Sequence, residues 1–452
     1  MTDSVLRLLL DVRRASKGGA EAIAQRQRLR LAEIVNYARA HSPYYRELYA
    51  RLPDGVDDAA VLPVTNKKTL MSRFDEWVTD RAVTLNEVRT FIADSARIGE
   101  HFPGGYTALT TSGTSGMPGV FLWDDRTMTV VNALMLRALR DWIRMRDVLK
   151  LVTHGGRMTL ICATGGHYAE PIAGARLQHR RGEDKVQVLA AHAPLAEMVE
   201  KLNAFQPDVL APYASIAALL AGEQMAGRLR ISPTVIVLSA EGLPEDGYDR
   251  IRQAFKVPVH HSYAATECPF ISYSCEQDWL HVNGDWVILE PVDAEYRPVA
   301  AGTQSHTVLV SNLANRVQPI LRYDLSDRIV VRPDPCPCGN PLPAIRVEGR
   351  TGDVLTFSTK EGGDVRIPAL MFEVVDAVDV ELFQTVQTAP DAMRVRLRLA
   401  AAADSDRVWH SVQTEIRRVL DQHGLAHVRV ERADEPPEQA AGGKYRTVIP
   451  LQ

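Results

Sequence analysis

The run Thr110-Thr111-Ser112-Gly113-Thr114-Ser115-Gly116-Met117-Pro118-Gly119 combines small residues with hydroxyls. Backbone N–H groups in such a run can curl around phosphate oxygens, and the hydroxyls add donors. No Lys follows, and Val120 to Trp123 lead into a strand, so this is not a P-loop of the G-x-x-x-x-G-K-[ST] kind but a loop between two strands. Further on, Ser262-Tyr263-Ala264-Ala265-Thr266-Glu267 follows an expected strand. Its aromatic ring can stack on a purine, Thr266 can meet a phosphate, and the Glu267 carboxylate can hold Mg²⁺. Arg322-Tyr323-Asp324-Leu325-Ser326-Asp327 sits at a strand end, where Asp327 can accept both hydroxyls of a ribose. Gly349-Arg350-Thr351-Gly352-Asp353 offers the small residues of a hinge, and Gly442-Gly443-Lys444 places a lysine on a flexible glycine loop. Taken singly, each of these is an ordinary turn, surface strand or solvated tail.

Their order changes that reading. Thr111 to Pro118, Tyr263 to Glu267, Arg322 to Asp327, Gly349-Arg350 and Gly443-Lys444 together resemble the motif series of the adenylate-forming superfamily of acyl-CoA synthetases, adenylation domains and luciferases. His41-Ser-Pro-Tyr-Tyr-Arg-Glu-Leu48 and Leu62-Pro-Val-Thr-Asn-Lys-Lys68 are similar to the N-terminal signatures of its phenylacetate–CoA ligase branch, and the resemblance covers nearly the whole chain. It implies an ATP-dependent enzyme that activates a small carboxylic acid as an acyl-AMP and passes it to the thiol of CoA. Thr111 and Ser112 to Gly116 would grip the β- and γ-phosphates, Ser239-Ala240-Glu241-Gly242 and Tyr263 would surround adenine, and Asp327 and Arg350 would hold the ribose. Thr266 would touch the α-phosphate, Glu267 would bind Mg²⁺, and Lys444 would bridge carboxylate and α-phosphate as charge develops.

Three departures from the family pattern accompany the match. Ala264 stands where Gly is usual, and Gly119 where many relatives carry Lys. The segment Val354 to Pro368 lacks the Gly-x-Asn pattern that helps form the thiol-transfer tunnel, which keeps open another acceptor: a carrier-protein thiol, an amine, or a cofactor hydroxyl that receives AMP. A non-catalytic nucleotide-binding relative is the third reading, weakened by the joint presence of Glu267, Asp327, Arg350 and Lys444.

Two more groups of residues carry expectations. Cys275, His281, Cys336 and Cys338 supply three thiolates and an imidazole, a donor set for a tetrahedral structural Zn²⁺, with Cys336-Pro-Cys338-Gly as the knuckle. Cys268 is left over and is a candidate to face the acyl pocket. Gly165, Gly166, His167 and Tyr168 follow a strand where relatives place acyl-binding groups, and the glycines leave room for a flat ring, so an aromatic acid is favoured.

The elements that must position these groups read as α/β. Helices are expected to about residue 50, with Pro43 ending the first and a second from Arg46 to Arg51. A further helix spans Arg126 to Met145. Short apolar runs at 158–162, 186–190, 209–210, 235–238 and 257–259 alternate with helices near 195–205, 216–225 and 246–254, which implies a parallel core. Residues 279–329 are strand-rich, and roughly the last hundred form a compact α+β unit. The expected division is 1–349 for a large ATP- and acid-binding domain and 350–452 for a small mobile domain bearing Lys444. A net charge of −4 and the absence of a basic cluster exclude a nucleic-acid partner. No apolar stretch reaches the length of a membrane span, so a cytoplasmic protein without a membrane partner is expected, and a homodimer is allowed.

Overall fold

The computed structural model describes residues 5–451 except 112–118, 163, 165, 192, 240–244, 351–353, 360–361, 369–371, 373–378, 401–402 and 439–447. The chain is a mixed α/β protein built on a nine-stranded sheet. In spatial order the strands are Asp327–Val331, Ala344–Arg350, Leu280–Val282, Ser272–Ser274, Val259–Tyr263, Val235–Leu238, Val209–Pro212, Met158–Cys162 and Val186–Ala190. The last five are parallel to one another, as the alternating apolar runs predict. Beyond Val259–Tyr263 the sheet turns antiparallel. Mixed sheets of this kind arise when short hairpins extend a parallel core.

One smaller sheet and one hairpin complete the described part before residue 351. Val287–Val292, Thr307–Asn312 and Ile320–Asp324 form an antiparallel three-stranded sheet, and Thr107–Thr110 pairs with Val120–Trp123 alone. One apolar core gathers the N-terminal helices, this hairpin and the antiparallel strands, while a second lies among the parallel strands and their helices. A third contains only residues from Leu355 onward, beneath a four-stranded sheet in which Val380–Ala389 and Ala392–Leu399 are central and helix Ser405–Gln422 covers one face.

The N-terminal helices differ from expectation at Pro43. Helix Gly19–His41 ends at Ser42, whose side chain accepts a hydrogen bond from the Tyr45 backbone N–H, and Pro43 begins helix Pro43–Leu48. A proline at the first helical position loses no bond, because that N–H has no partner within a helix anyway. Helices Met145–His154 and Ala169–Arg181 were also not expected. The first is separated from Asp125–Trp142 by an extended Ile143-Arg144 pair, and the second holds Pro171 and Gly174, which mask its pattern. Gly174 lets that helix approach strand Val186–Ala190, since a Cβ there would stand 2.8 Å from Val188.

Helix Asp125–Trp142 is locked to the antiparallel strands by a buried ion pair. Arg137 donates through both terminal nitrogens to Asp285, at 2.8 Å each, and to Asn283 at 3.0 Å. The two side chains are 5% and 0% exposed. Removing one partner strands the other charge in the core, so Asp285→Ala is expected to cost about 3–5 kcal/mol in a denaturant titration. A loss within the range of a surface substitution would show that the pair is not structural.

Candidate nucleotide site and metal cluster

The hairpin that carries the glycine-rich loop is closed at its base. The Thr111 N–H donates to the Gly119 carbonyl at 3.0 Å, and the Gly119 N–H donates to the Thr111 hydroxyl at 2.8 Å. Ser112, Gly113, Thr114, Ser115 and Gly116 lie outside the described residues. The hairpin has only two strands, so the outer edge of Val120–Trp123 lacks a backbone partner. Side chains supply one instead: the Leu122 N–H donates to the Gln318 side-chain oxygen at 2.6 Å, and Asn315 donates to the Leu122 carbonyl at 2.8 Å. Both residues are buried.

From this hairpin the Trp123 ring nitrogen donates to the Thr266 carbonyl at 2.8 Å, which brings the Tyr263–Glu267 turn alongside. Glu267 accepts from the buried Tyr323 hydroxyl at 2.9 Å, and its carbonyl accepts from Asn312 at 3.2 Å. Tyr263 donates to Asp327 at 2.5 Å. Asp327 is buried and stands opposite Arg350 in register on the neighbouring strand. Tyr263, Thr266, Glu267, Asp327 and the backbone of Arg350 are thus brought together around the hairpin, as their order in the sequence implies. Ser239 ends strand Val235–Leu238, its N–H donating to the Pro212 carbonyl at 3.2 Å. Ala240, Glu241, Gly242 and Lys444 lie outside the described residues, as does the side chain of Arg350.

The Tyr323–Asp327 stretch is bracketed by two left-handed residues, Arg322 at φ 47° and Ser326 at φ 60°. Neither is glycine, so both conformations need outside support. Arg322 receives it from a 3.2 Å bond to Glu290 and a 2.6 Å bond to the Leu62 carbonyl, while Thr65 ties to the carbonyls of Leu321 and Arg322. Ser326 is held by its N–H, which donates to Asp324 at 2.8 Å.

The segment Leu62–Lys68 therefore touches the site, and it brings a residue to which the sequence assigned no role. The stem of Lys67 lies 3.3 Å from where a Cβ on Gly119 would stand. Its helix, Lys67–Ser72, packs on the hairpin through Met71, whose sulfur accepts from the Val120 N–H at 3.4 Å. A lysine side chain thus reaches the end of the loop at Gly119. The available signal was the absence of a cation at Gly119 combined with two lysines in the N-terminal signature.

In the expected acyl pocket, Gly165 lies outside the described residues. The Tyr168 ring lies over Gly166, where a Cβ would stand 2.5 Å from it, so glycine is required. His167 is 1% exposed, its Nε2 3.0 Å from the Asp94 carbonyl and its ring edge-on to Phe91. The His167 carbonyl accepts from Thr110, which fixes this loop against the hairpin. The arrangement gives His167 a bracing position and leaves Tyr168 as the half-buried side chain beside the glycine. Cys268 is buried in the main core, where burial pushes its thiol well above the ordinary range.

On the far side of the same strands, the ligand atoms of Cys275, His281, Cys336 and Cys338 all lie within 4.8 Å of one another. Cys275 and Cys336 are 3.8 Å apart through sulfur, and the Cys338 sulfur is 3.2 Å from His281 Nε2. The other ring nitrogen of His281 is 2.9 Å from the Leu342 carbonyl, which orients the imidazole for coordination through Nε2. Three thiolates and an oriented imidazole fit one tetrahedral Zn²⁺ with no position left for water.

No family model matches the chain. It is similar to protein CapK of Staphylococcus aureus, 24% identical over 451 residues that span 94% of this chain and 88% of that protein. Among solved structures it resembles 2-hydroxyisobutyryl-CoA ligase in the postadenylation state in complex with 2-HIB-AMP, with a TM-score of 0.67 and 20% identity over 96% of this chain and 90% of that one. The same ligase in an open conformation with 2-HIB-AMP and CoA gives a TM-score of 0.56 at 19% identity, over 95% and 91%. The chain has the adenylate-forming fold. In this fold the short hairpin, the Tyr263–Glu267 turn and the Asp327 strand are one continuous neighbourhood, although more than two hundred residues separate Thr111 from Asp327. Among the described residues no helix is long and apolar enough to cross a membrane.

Protein prepared without chelator is expected to return about one zinc per chain by elemental analysis, since four closed ligands bind tightly. Cys336→Ser with Cys338→Ser should reduce this to a trace and lower the melting temperature. Metal-free wild-type protein of unchanged stability would remove zinc from the description.

Proposed function

We propose that the protein is an AMP-forming ligase of the phenylacetate–CoA ligase-like branch. It activates a small carboxylic acid with ATP and transfers the acyl group to the thiol of CoA. The observation that carries this reading is the convergence of Tyr263, Glu267 and Asp327 beside strand Val120–Trp123, which leads out of the glycine-rich loop, through the bonds from Trp123, Tyr323 and Tyr263. The structural neighbours add weight: one binds an acyl-AMP, and in a second state an acyl-AMP with CoA.

In the first step the acid's carboxylate oxygen attacks the α-phosphorus of ATP. A P–O bond forms to give acyl-AMP, and the bond to the β-phosphate oxygen breaks to release pyrophosphate. Asp327 and Arg350 hold the ribose, Tyr263 turns from its bond with Asp327 to pack on adenine, and Thr266 lies at the α-phosphate. Glu267, its carboxylate aimed by Tyr323, would hold Mg²⁺ with the phosphate oxygens. That ion would draw off negative charge as pyrophosphate leaves. Lys444 bridges the acid and the α-phosphate, and Lys67 supplies the cation missing from position 119. In the second step the CoA sulfur attacks the acyl carbon, the thiol proton departs to solvent, and AMP leaves. The small domain turns about the segment near Asp353 to admit the thiol. A small aromatic acid is the substrate class we assign, on the resemblance of the Gly165–Tyr168 segment to acyl-binding segments; the Tyr168 ring itself fills the space beside Gly166. Zinc takes no part in these steps and would only brace the strands.

A second acceptor in place of CoA is favoured by one feature, the missing Gly-x-Asn pattern in residues 354–368, which form the hairpin Val354–Ser358 and Asp364–Pro368. ATP–pyrophosphate exchange over a panel of aromatic and aliphatic acids, followed by product analysis with and without CoA, separates the readings. Exchange with CoA-dependent thioester is the expected result. Exchange without acyl-CoA would move the protein to another acceptor, and no exchange with any acid would reduce it to a nucleotide binder. Lys444→Ala should keep ATP affinity and lower adenylation by roughly two to three orders of magnitude, as for loss of one preorganised charge. Unchanged adenylation would take Lys444 out of the mechanism. Lys67→Ala should raise the KM for ATP by roughly ten- to a hundredfold, the effect of one charged hydrogen bond, while Lys68→Ala should not. Equal effects of the two substitutions would argue against Lys67 at the phosphates.

A further inference from the structure

Helix Met145–His154 sits on the body of the protein the wrong way round. Met145 is 83% exposed, Val148 41%, Leu149 65% and Val152 73%, and their i, i+3, i+4, i+7 spacing places them on one face. The inward face holds the carboxylate of Asp147, which is buried and accepts from the Arg144 N–H at 3.3 Å. A surface helix of a soluble domain normally hides its apolar stripe and shows its charges. Here the stripe is bare, and contiguous exposed apolar patches are where interaction sites of soluble proteins are found.

Charge indicates what covers it. Arg146 and Lys150 lie one turn apart along the flank of the apolar row, both exposed, although Arg146 stands 3.6 Å from the Asp147 carboxylate with 70% of its side chain open. Arg144 caps the helix at 64% side-chain exposure and pairs with Glu276, an exposed carboxylate. Past the C-terminus, Arg181 donates to the Gly156 carbonyl at 3.1 Å, and the Lys185 ammonium lies 3.0 Å from the Cβ position of Gly155, near Glu183 and Asp184. The N-terminal helix Val5–Lys17, packed on helix Asp125–Trp142, repeats the pattern, with Leu6 67% and Leu10 46% exposed beside Arg7 and Arg14. A surface that is negative outside and apolar beneath meets both demands at once.

We propose that helix Met145–His154 adsorbs on the surface of an anionic lipid bilayer. Its apolar row lies at the acyl boundary, and Arg146 and Lys150 lie among the headgroups. The protein docks without spanning, so the lack of a membrane-crossing helix among the described residues is compatible with it. The proposal does not depend on the reaction assigned to the nucleotide site.

The test is co-sedimentation of the full chain with vesicles of phosphatidylcholine alone or mixed with phosphatidylglycerol. Wild-type protein should pellet with the mixed vesicles, less so at high salt, and stay soluble with phosphatidylcholine alone. Leu149→Asp with Val152→Asp should abolish pelleting while circular dichroism and melting temperature stay as in wild type. Arg146→Glu with Lys150→Glu should weaken it by roughly tenfold or more. Three results would overturn the proposal: no pelleting with mixed vesicles, equal pelleting by the variants, or light scattering that shows a wild-type dimer converted to monomer by the aspartates.

Discussion

The candidate site depends on a hairpin that cannot satisfy its own backbone. Strand Val120–Trp123 is buried along its length, yet it pairs only with Thr107–Thr110. In a larger sheet the free edge would find another strand. Here Gln318 and Asn315 take that part with side-chain amides, and an unpaired buried peptide group would cost about 1–3 kcal/mol without them. The segment that contributes these amides runs directly into Ile320–Asp324 and so to Asp327. Support of the glycine-rich hairpin and placement of Asp327 are therefore handled by one piece of chain.

That coupling explains which parts of the architecture could be read from sequence. The parallel strands were legible because each is a short apolar run bounded by turn residues and separated from the next by a helix-length interval. The motif residues were legible as a series, since Tyr263, Glu267 and Asp327 differ in chemistry and come in a fixed order. The Cys/His cluster was visible from spacing, and its four ligand atoms do converge. Side-chain contacts across long sequence separations were not legible. Nothing local to Lys67 announces that its stem will lie on Gly119, and nothing local to His167 says that Asp94 and Phe91 will enclose it. Pro43 was misread because the same residue that stops one helix is well suited to begin the next.

The nucleotide site and the metal cluster share elements without sharing chemistry. Tyr263 ends one strand, and the next two strands of the sheet flank the turn that carries Cys275. Asp327 begins a strand whose far end leads to Cys336 and Cys338. A metal bridging Cys275 and Cys336 would close a loop of about sixty residues, which lowers the entropy of the unfolded chain more than a short loop would. Its benefit would fall on the strands that carry Tyr263 and Asp327.

The two left-handed residues at 322 and 326 give the ribose strand a particular evolutionary character. Glycine at either position would relieve the backbone, and in most turns such a change is neutral or helpful. At Arg322 it would also delete the contacts to Glu290 and Leu62 that hold the N-terminal segment, and with it Lys67, against the hairpin. The Arg322 and Glu290 side chains are 12% and 16% exposed, so cutting one away strands the other charge and costs more than the backbone gains. A screen that rewards only thermal tolerance would therefore retain arginine here, and with it the anchoring of the N-terminal segment.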